Sequence, residues 1–112
     1  MRRLLVLVPV AVVSAVLAIP ALAATKSVKV GDNFFVKDGG VHTVTVKKND
    51  TVKWNFTGNS PHNVTVKSGP AKFHSKTMSS GSFSRKLTKK GLYTLYCTIH
   101  GASDQSMKLR VK

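Results

Sequence analysis

From residue 25 onward, apolar side chains recur at every second position in short runs. Val28 and Val30 alternate with Ser27 and Lys29, and Val44 and Val46 with Thr43 and Thr45. Val52, Trp54 and Phe56 share one parity, as do His62, Val64 and Val66. Phe83 and Leu87 mark a further run, then Tyr93, Leu95 and Cys97, then Met107, Leu109 and Val111. A period of two is the signature of strands with one buried face, and no stretch carries a sustained helical period. Turn-forming clusters separate the runs: Asp38-Gly39-Gly40, Lys48-Asn49-Asp50, Gly58-Asn59-Ser60-Pro61, Ser79-Ser80-Gly81 and Lys89-Lys90-Gly91. About seven short strands, each apolar on one side, predict an all-β protein of two sheets packed face to face. Lys67 to Ser82 lacks alternation and is expected to be a long irregular connection.

The first two dozen residues differ from this pattern. Met1-Arg2-Arg3 is followed by a nearly unbroken apolar run from Leu4 to Ile19, then by Pro20-Ala21-Leu22-Ala23. A basic start, an apolar middle and a small-x-small end have the anatomy of a secretory signal peptide, expected over 1–23. An uncleaved anchor is the competing reading, because Leu4 to Ala24 approaches the ~20 apolar residues that span a bilayer. Pro9 and Pro20 interrupt the run, and the Ala-Leu-Ala end suits a peptidase, so cleavage is favoured. The expectation is a single domain, 24–112, in the periplasm or outside the cell, membrane-associated if the leader is retained.

Charge narrows the partners. The chain has 18 Lys and Arg against four Asp and no Glu, and without Arg2 and Arg3 the remaining 16 cations give a net +12. Such a field attracts anionic partners without specifying a fold. An acidic redox protein is the expected partner, with an anionic membrane or cell-wall surface as a further contact. Nucleic acid is not expected, since export separates the chain from it and no recognition motif is present. One cysteine excludes a disulfide within the chain, and an oxidising compartment requires that Cys97 be protected, paired outside the chain or occupied.

Parity gives Cys97 its meaning. His62 falls on the inward face with Val64 and Val66, and Cys97 on the inward face with Tyr93 and Leu95, so both polar groups point toward the core at strand ends. His100 lies three residues beyond Cys97. Fully extended, that segment would separate the two by ~10 Å, so the loop has to curl if both are to grip one ion. One thiolate with two imidazoles suits a trigonal copper site. Zinc accepts the same donors but favours sites with more cysteines. A Cys-His nucleophile is disfavoured, because so small a domain leaves little room for a cleft and an orienting group. No enzymatic activity is expected.

The segment Gly91-Leu92-Tyr93-Thr94-Leu95-Tyr96-Cys97-Thr98-Ile99-His100 resembles the copper loop of plastocyanins and related cupredoxins, and Ser60-Pro61-His62-Asn63-Val64 resembles their upstream histidine segment. The resemblance implies a Greek-key β-sandwich holding one type 1 copper ion, a monomer that carries single electrons between redox partners. It makes His62, Cys97 and His100 the equatorial ligands. Asn63 matches the asparagine that ties the two ligand loops together, with Thr98 and Tyr96 beside the site. His42 and His74 are read as structural or surface residues. His100 is expected to expose one edge as an electron port, ringed by Pro61, Ile99 and Ala102.

The fourth donor departs from the plastocyanin pattern. Five residues past His100, where that pattern has its axial methionine, stands Gln105; Met107 follows two residues later. Met107 shares parity with Leu109 and Val111 and reads as core, so Gln105 is preferred as axial donor, with Met107 the alternative. Glutamine also occupies this position in the phytocyanin branch. A hard amide oxygen favours the oxidised ion and implies a lower potential than a thioether would. A copper carrier or store using the same ligands is the rival function.

Overall fold

The computed structural model describes residues 22–112, so the leader expected over 1–23 lies outside the described residues except for Leu22 and Ala23. Among the described residues, no helix is long and apolar enough to cross a membrane.

Eight strands follow one another along the chain: β1 (Thr25–Gly31), β2 (Phe34–Phe35), β3 (His42–Val46), β4 (Thr51–Phe56), β5 (Thr65–Ser68), β6 (Gly81–Lys86), β7 (Gly91–Tyr96) and β8 (Ser106–Val111). They form two four-stranded sheets, ordered β2-β1-β4-β6 and β3-β8-β7-β5. Each sheet contains one parallel pair joining distant segments: β1 beside β4, with Val28 opposite Trp54, and β3 beside β8, with Val44 opposite Leu109. The other ladders are antiparallel. The result is the β-sandwich that the alternation predicts.

The inward sets are the predicted ones. Val28, Val30, Val44, Val46, Val52, Trp54, Phe56, Tyr93, Leu95, Met107, Leu109 and Val111 are all buried. Fully burying a large apolar side chain contributes roughly 1.5–3 kcal/mol, so this interior is the main source of stability. Trp54 anchors it, stacked on Phe83 at 5.6 Å between centroids and tilted against Phe73 at 6.1 Å. Two polar tips in the core are satisfied: the Tyr93 hydroxyl donates to the Lys89 carbonyl at 2.7 Å, and Trp54 Nε1 donates to Met107 Sδ at 3.4 Å.

Three features differ from the sequence expectation. β2 is an unforeseen strand, because two residues are too few to show alternation; it forms a tight hairpin with β1 through the turn Asp32-Asn33, Asn33 having a φ of 64°. The run His62 to Val66 keeps its inward parity, yet the ladder begins only at Thr65. His62 instead bridges to Met78, donating to its carbonyl at 3.0 Å and accepting from its N–H at 2.9 Å. The irregular connection is shorter than the 67–82 expected, because β5 runs on through Ser68 and β6 begins at Gly81, and the remaining 69–80 is pinned. Ser75 N–H donates to the Val64 carbonyl at 2.8 Å, Ser75 Oγ accepts from Val64 N–H at 2.9 Å, and Phe73 enters the core.

Candidate metal centre

His62 and Cys97 lie just beyond β-structure at one end of the sandwich, so their orientations are inherited from the core. Both are fully buried, while His100 on the following loop is half-buried. Their donor atoms all lie within 4.8 Å of one another, the one such convergence of His, Cys or acidic side chains among the described residues. Cys97 Sγ is 3.5 Å from His100 Nδ1, and the two imidazole centroids are 4.8 Å apart.

The loop curls as the ligand spacing requires. Gly101 adopts a φ of 83° and donates its N–H to the Cys97 carbonyl at 2.9 Å. This left-handed conformation strains any residue with a Cβ, which is why glycine stands there. Gln105 N–H then donates to the Gly101 carbonyl at 3.0 Å, and Cys97 N–H to the Gln105 carbonyl at 3.1 Å. Cys97, His100 and Gln105 are thereby fixed on one closed loop.

Asn63 bridges this loop to the His62 segment. Its Nδ2 donates to Thr98 Oγ1 at 2.7 Å, and its Oδ1 accepts from Thr98 N–H at 3.2 Å and from Thr65 Oγ1 at 2.9 Å. Tyr96 is half-buried, opposite Thr65 on one side and Ser106 on the other. His42 sits on β3 opposite Met107, and His74 is exposed; neither belongs to the convergent group.

The sequence reading missed Asp32. Its Oδ1 accepts from His62 Nε2 at 2.8 Å across a 30-residue separation, while its carboxylate also accepts the N–H groups of Asn59 and Ser60 at 3.0–3.1 Å. The bond to His62 first, then those from Asn59 and Ser60, lower its pKa to about 2. A carboxylate can only accept, so Nε2 carries a proton, and in the neutral imidazole Nδ1 then presents a lone pair. Nδ1 is buried without a hydrogen-bond partner. An orphaned buried acceptor is costly unless something occupies it, and a metal ion answers that need. Only Gly58 betrays this arrangement in sequence, and weakly: a Cβ there would collide with the Asp32 carboxylate.

Gln105 is 1 % exposed, and its Nε2 donates to the Gly31 carbonyl at 2.9 Å and the Phe34 carbonyl at 3.0 Å. Both amide hydrogens are thus used at the β1–β2 turn, while Oε1 is buried without a partner. Met107 is buried in the core with its sulfur engaged by Trp54.

Residues 23–112 match the model of the copper-binding proteins of the plastocyanin/azurin family. The chain belongs to this family. Cupredoxins bind copper, and the thiolate, the two imidazoles and the orphaned Nδ1 fit a single type 1 ion. Among solved structures, amicyanin from Paracoccus versutus is similar at 25% identity, with 85% of this chain and 86% of that chain covered and a TM-score of 0.64. A mutant fern plastocyanin matches at 25% identity, covering 77% of this chain and 99% of that one, with a TM-score of 0.61. A copper-containing nitrite reductase from Thermus scotoductus shares the fold at 19% identity and a TM-score of 0.63; 79% of this chain is covered, but the match spans only 22% of the reductase.

Proposed function

We propose that this cupredoxin is an exported one-electron carrier in which His62, Cys97 and His100 hold copper equatorially and Gln105 Oε1 is the axial donor. The observation that carries the axial assignment is the asymmetric amide: both N–H groups are tied to backbone carbonyls, and the oxygen is left buried and unpaired. Met107 has the opposite character, a sulfur already accepting from Trp54. When bound, copper supplies a single-electron couple whose potential depends on these donors.

The protein contributes rigidity and access. Two of the three equatorial side chains are locked by the core, and Asn63 braces both ligand loops, so little rearranges when charge changes. His100 alone of the three reaches partway to the surface; Ile99 before it is 52% exposed, Pro61 before His62 is exposed, and Ala102 is half-buried. This apolar rim suits brief contact with a partner around the imidazole edge. The basic field would steer an acidic redox protein toward it, giving a fast and salt-sensitive encounter. A single one-electron centre favours carriage over multi-electron catalysis, and the leader-like 1–23 favours export.

The deciding experiment is a visible and paramagnetic-resonance spectrum of the copper-loaded domain, followed by voltammetry. A strong thiolate-to-copper band with reversible cycling is expected. A colourless protein overturns the reading, and rapid loss of copper to a chelator favours a store over a carrier.

A further inference from the structure

We propose that the bond between Ala23 and Ala24 is a processing site, and that the buried carboxylate of Asp50 is the socket for the ammonium group created by the cut. The inference rests on the exported reading above. Ala24 is held on both sides: its N–H donates to Asp50 Oδ1 at 2.9 Å, and its carbonyl accepts Thr51 N–H at 2.9 Å. Leu22, two residues earlier, is 86% exposed, and Ala23 is also exposed. Leu22 and Ala23 therefore sit on accessible chain immediately before the first residue that the fold secures, and in the sequence Ala21 and Ala23 supply the small residues three and one positions ahead of the cut that a signal peptidase requires.

Asp50 is built to receive a charge. It is 8% exposed, and its second oxygen accepts Lys47 N–H at 2.9 Å. These two N–H groups hold its carboxyl below the ordinary value of 3.8, so it is ionised at neutral pH. Hydrolysis adds water across the peptide bond. Ala23 leaves as a carboxylate with the leader, and the Ala24 nitrogen gains protons to become an ammonium group at the same place. An amide facing a carboxylate becomes a full ion pair, and hydrogen bonds between ionised partners are roughly twice as strong as neutral ones. Lys47 and Lys48 line the same cleft and oppose the new charge, while Asp50 offsets it from within bonding distance. The cut chain is consequently more stable than its precursor, and release of the leader tightens the start of β1.

The test compares a chain beginning at Ala24 with one carrying a single extra glycine ahead of it, each with Asp50 and with Asp50→Asn. The extra glycine moves the ammonium away from the carboxylate and is expected to lower the melting temperature by about 4–8 °C in the parent. It should leave the Asp50→Asn pair equal. If that variant does not fold, the parental pair is repeated at 1 M salt, where the difference should shrink. Equal melting of the two parental chains overturns the socket. The intact mass of the exported protein reads the cut separately: a chain starting at Ala24 supports the site, and any other start overturns it without touching the melting comparison.

Discussion

The Asp32 carboxylate and the Nδ1 of His62 lie on opposite sides of one imidazole: Oδ1 accepts from Nε2 at 2.8 Å, and Nδ1 is the nitrogen left without a partner. The acid thus fixes the ring's tautomer and increases its basicity toward whatever Nδ1 binds. Asp32→Asn keeps an acceptor but removes the negative charge, which stabilises the oxidised ion more than the reduced one. A preferential loss of about tenfold in affinity for the oxidised ion raises a one-electron potential by about 59 mV. Voltammetry reads this directly, and an unchanged potential would reduce Asp32 to a loop clamp.

Gln105→Met exchanges a hard oxygen for a soft sulfur and should raise the potential. It also removes the two hydrogen bonds to Gly31 and Phe34, at about 1 kcal/mol each, so the apo-protein should melt several degrees lower. Met107→Leu is the matched control. Volume is nearly conserved but Trp54 Nε1 loses its acceptor, so the cost is about 1–3 kcal/mol, while the potential should stay where it is. A shift in the control would transfer the axial role to Met107.

Asn63→Ala cuts the bracing between the ligand loops and leaves Thr98 N–H without its acceptor. The expected loss is about 1–3 kcal/mol by urea unfolding, together with slower electron self-exchange as the loops gain freedom to rearrange. Normal self-exchange in a destabilised variant would separate the stabilising role from the kinetic one.

Acid sensitivity should trace in part to Asp50, far from the metal centre. Its pKa is lowered, first by the Lys47 N–H and then by that of Ala24. A carboxyl with a lowered folded-state pKa contributes stability that is present above its unfolded value of 3.8 and is lost as pH falls through the lowered one. The urea midpoint should therefore fall below pH 4 through this contribution, and Asp50→Asn should fall less steeply. Equal slopes would remove Asp50 from the account.

What the sequence disclosed was what strand parity governs. Cys97 and His62 face inward because Leu95 and Val64 do, and the sandwich follows from the same alternation in the remaining strands. Asp32 was hidden because its partner is 30 residues away and joins two turns, where no periodicity operates. β2 was too short to alternate. The pinning of 69–80 depends on a serine hydroxyl and on bridges at His62 and Thr65, both decided by tertiary packing. Parity placed Met107 in the core, but the use made of the Gln105 amide required the coordinates of the β1–β2 turn.

The parallel pairing of β3 with β8 also bears on when this molecule can form. His42 aligns with Met107, so the second sheet cannot close until nearly the whole chain is available, and the loop closed between them is long. Non-local pairings of this kind slow folding. The loop bearing Cys97, His100 and Gln105 is anchored on one side by β8 itself. A nascent chain would therefore remain open, with its thiol unsheltered, until its last strand is free.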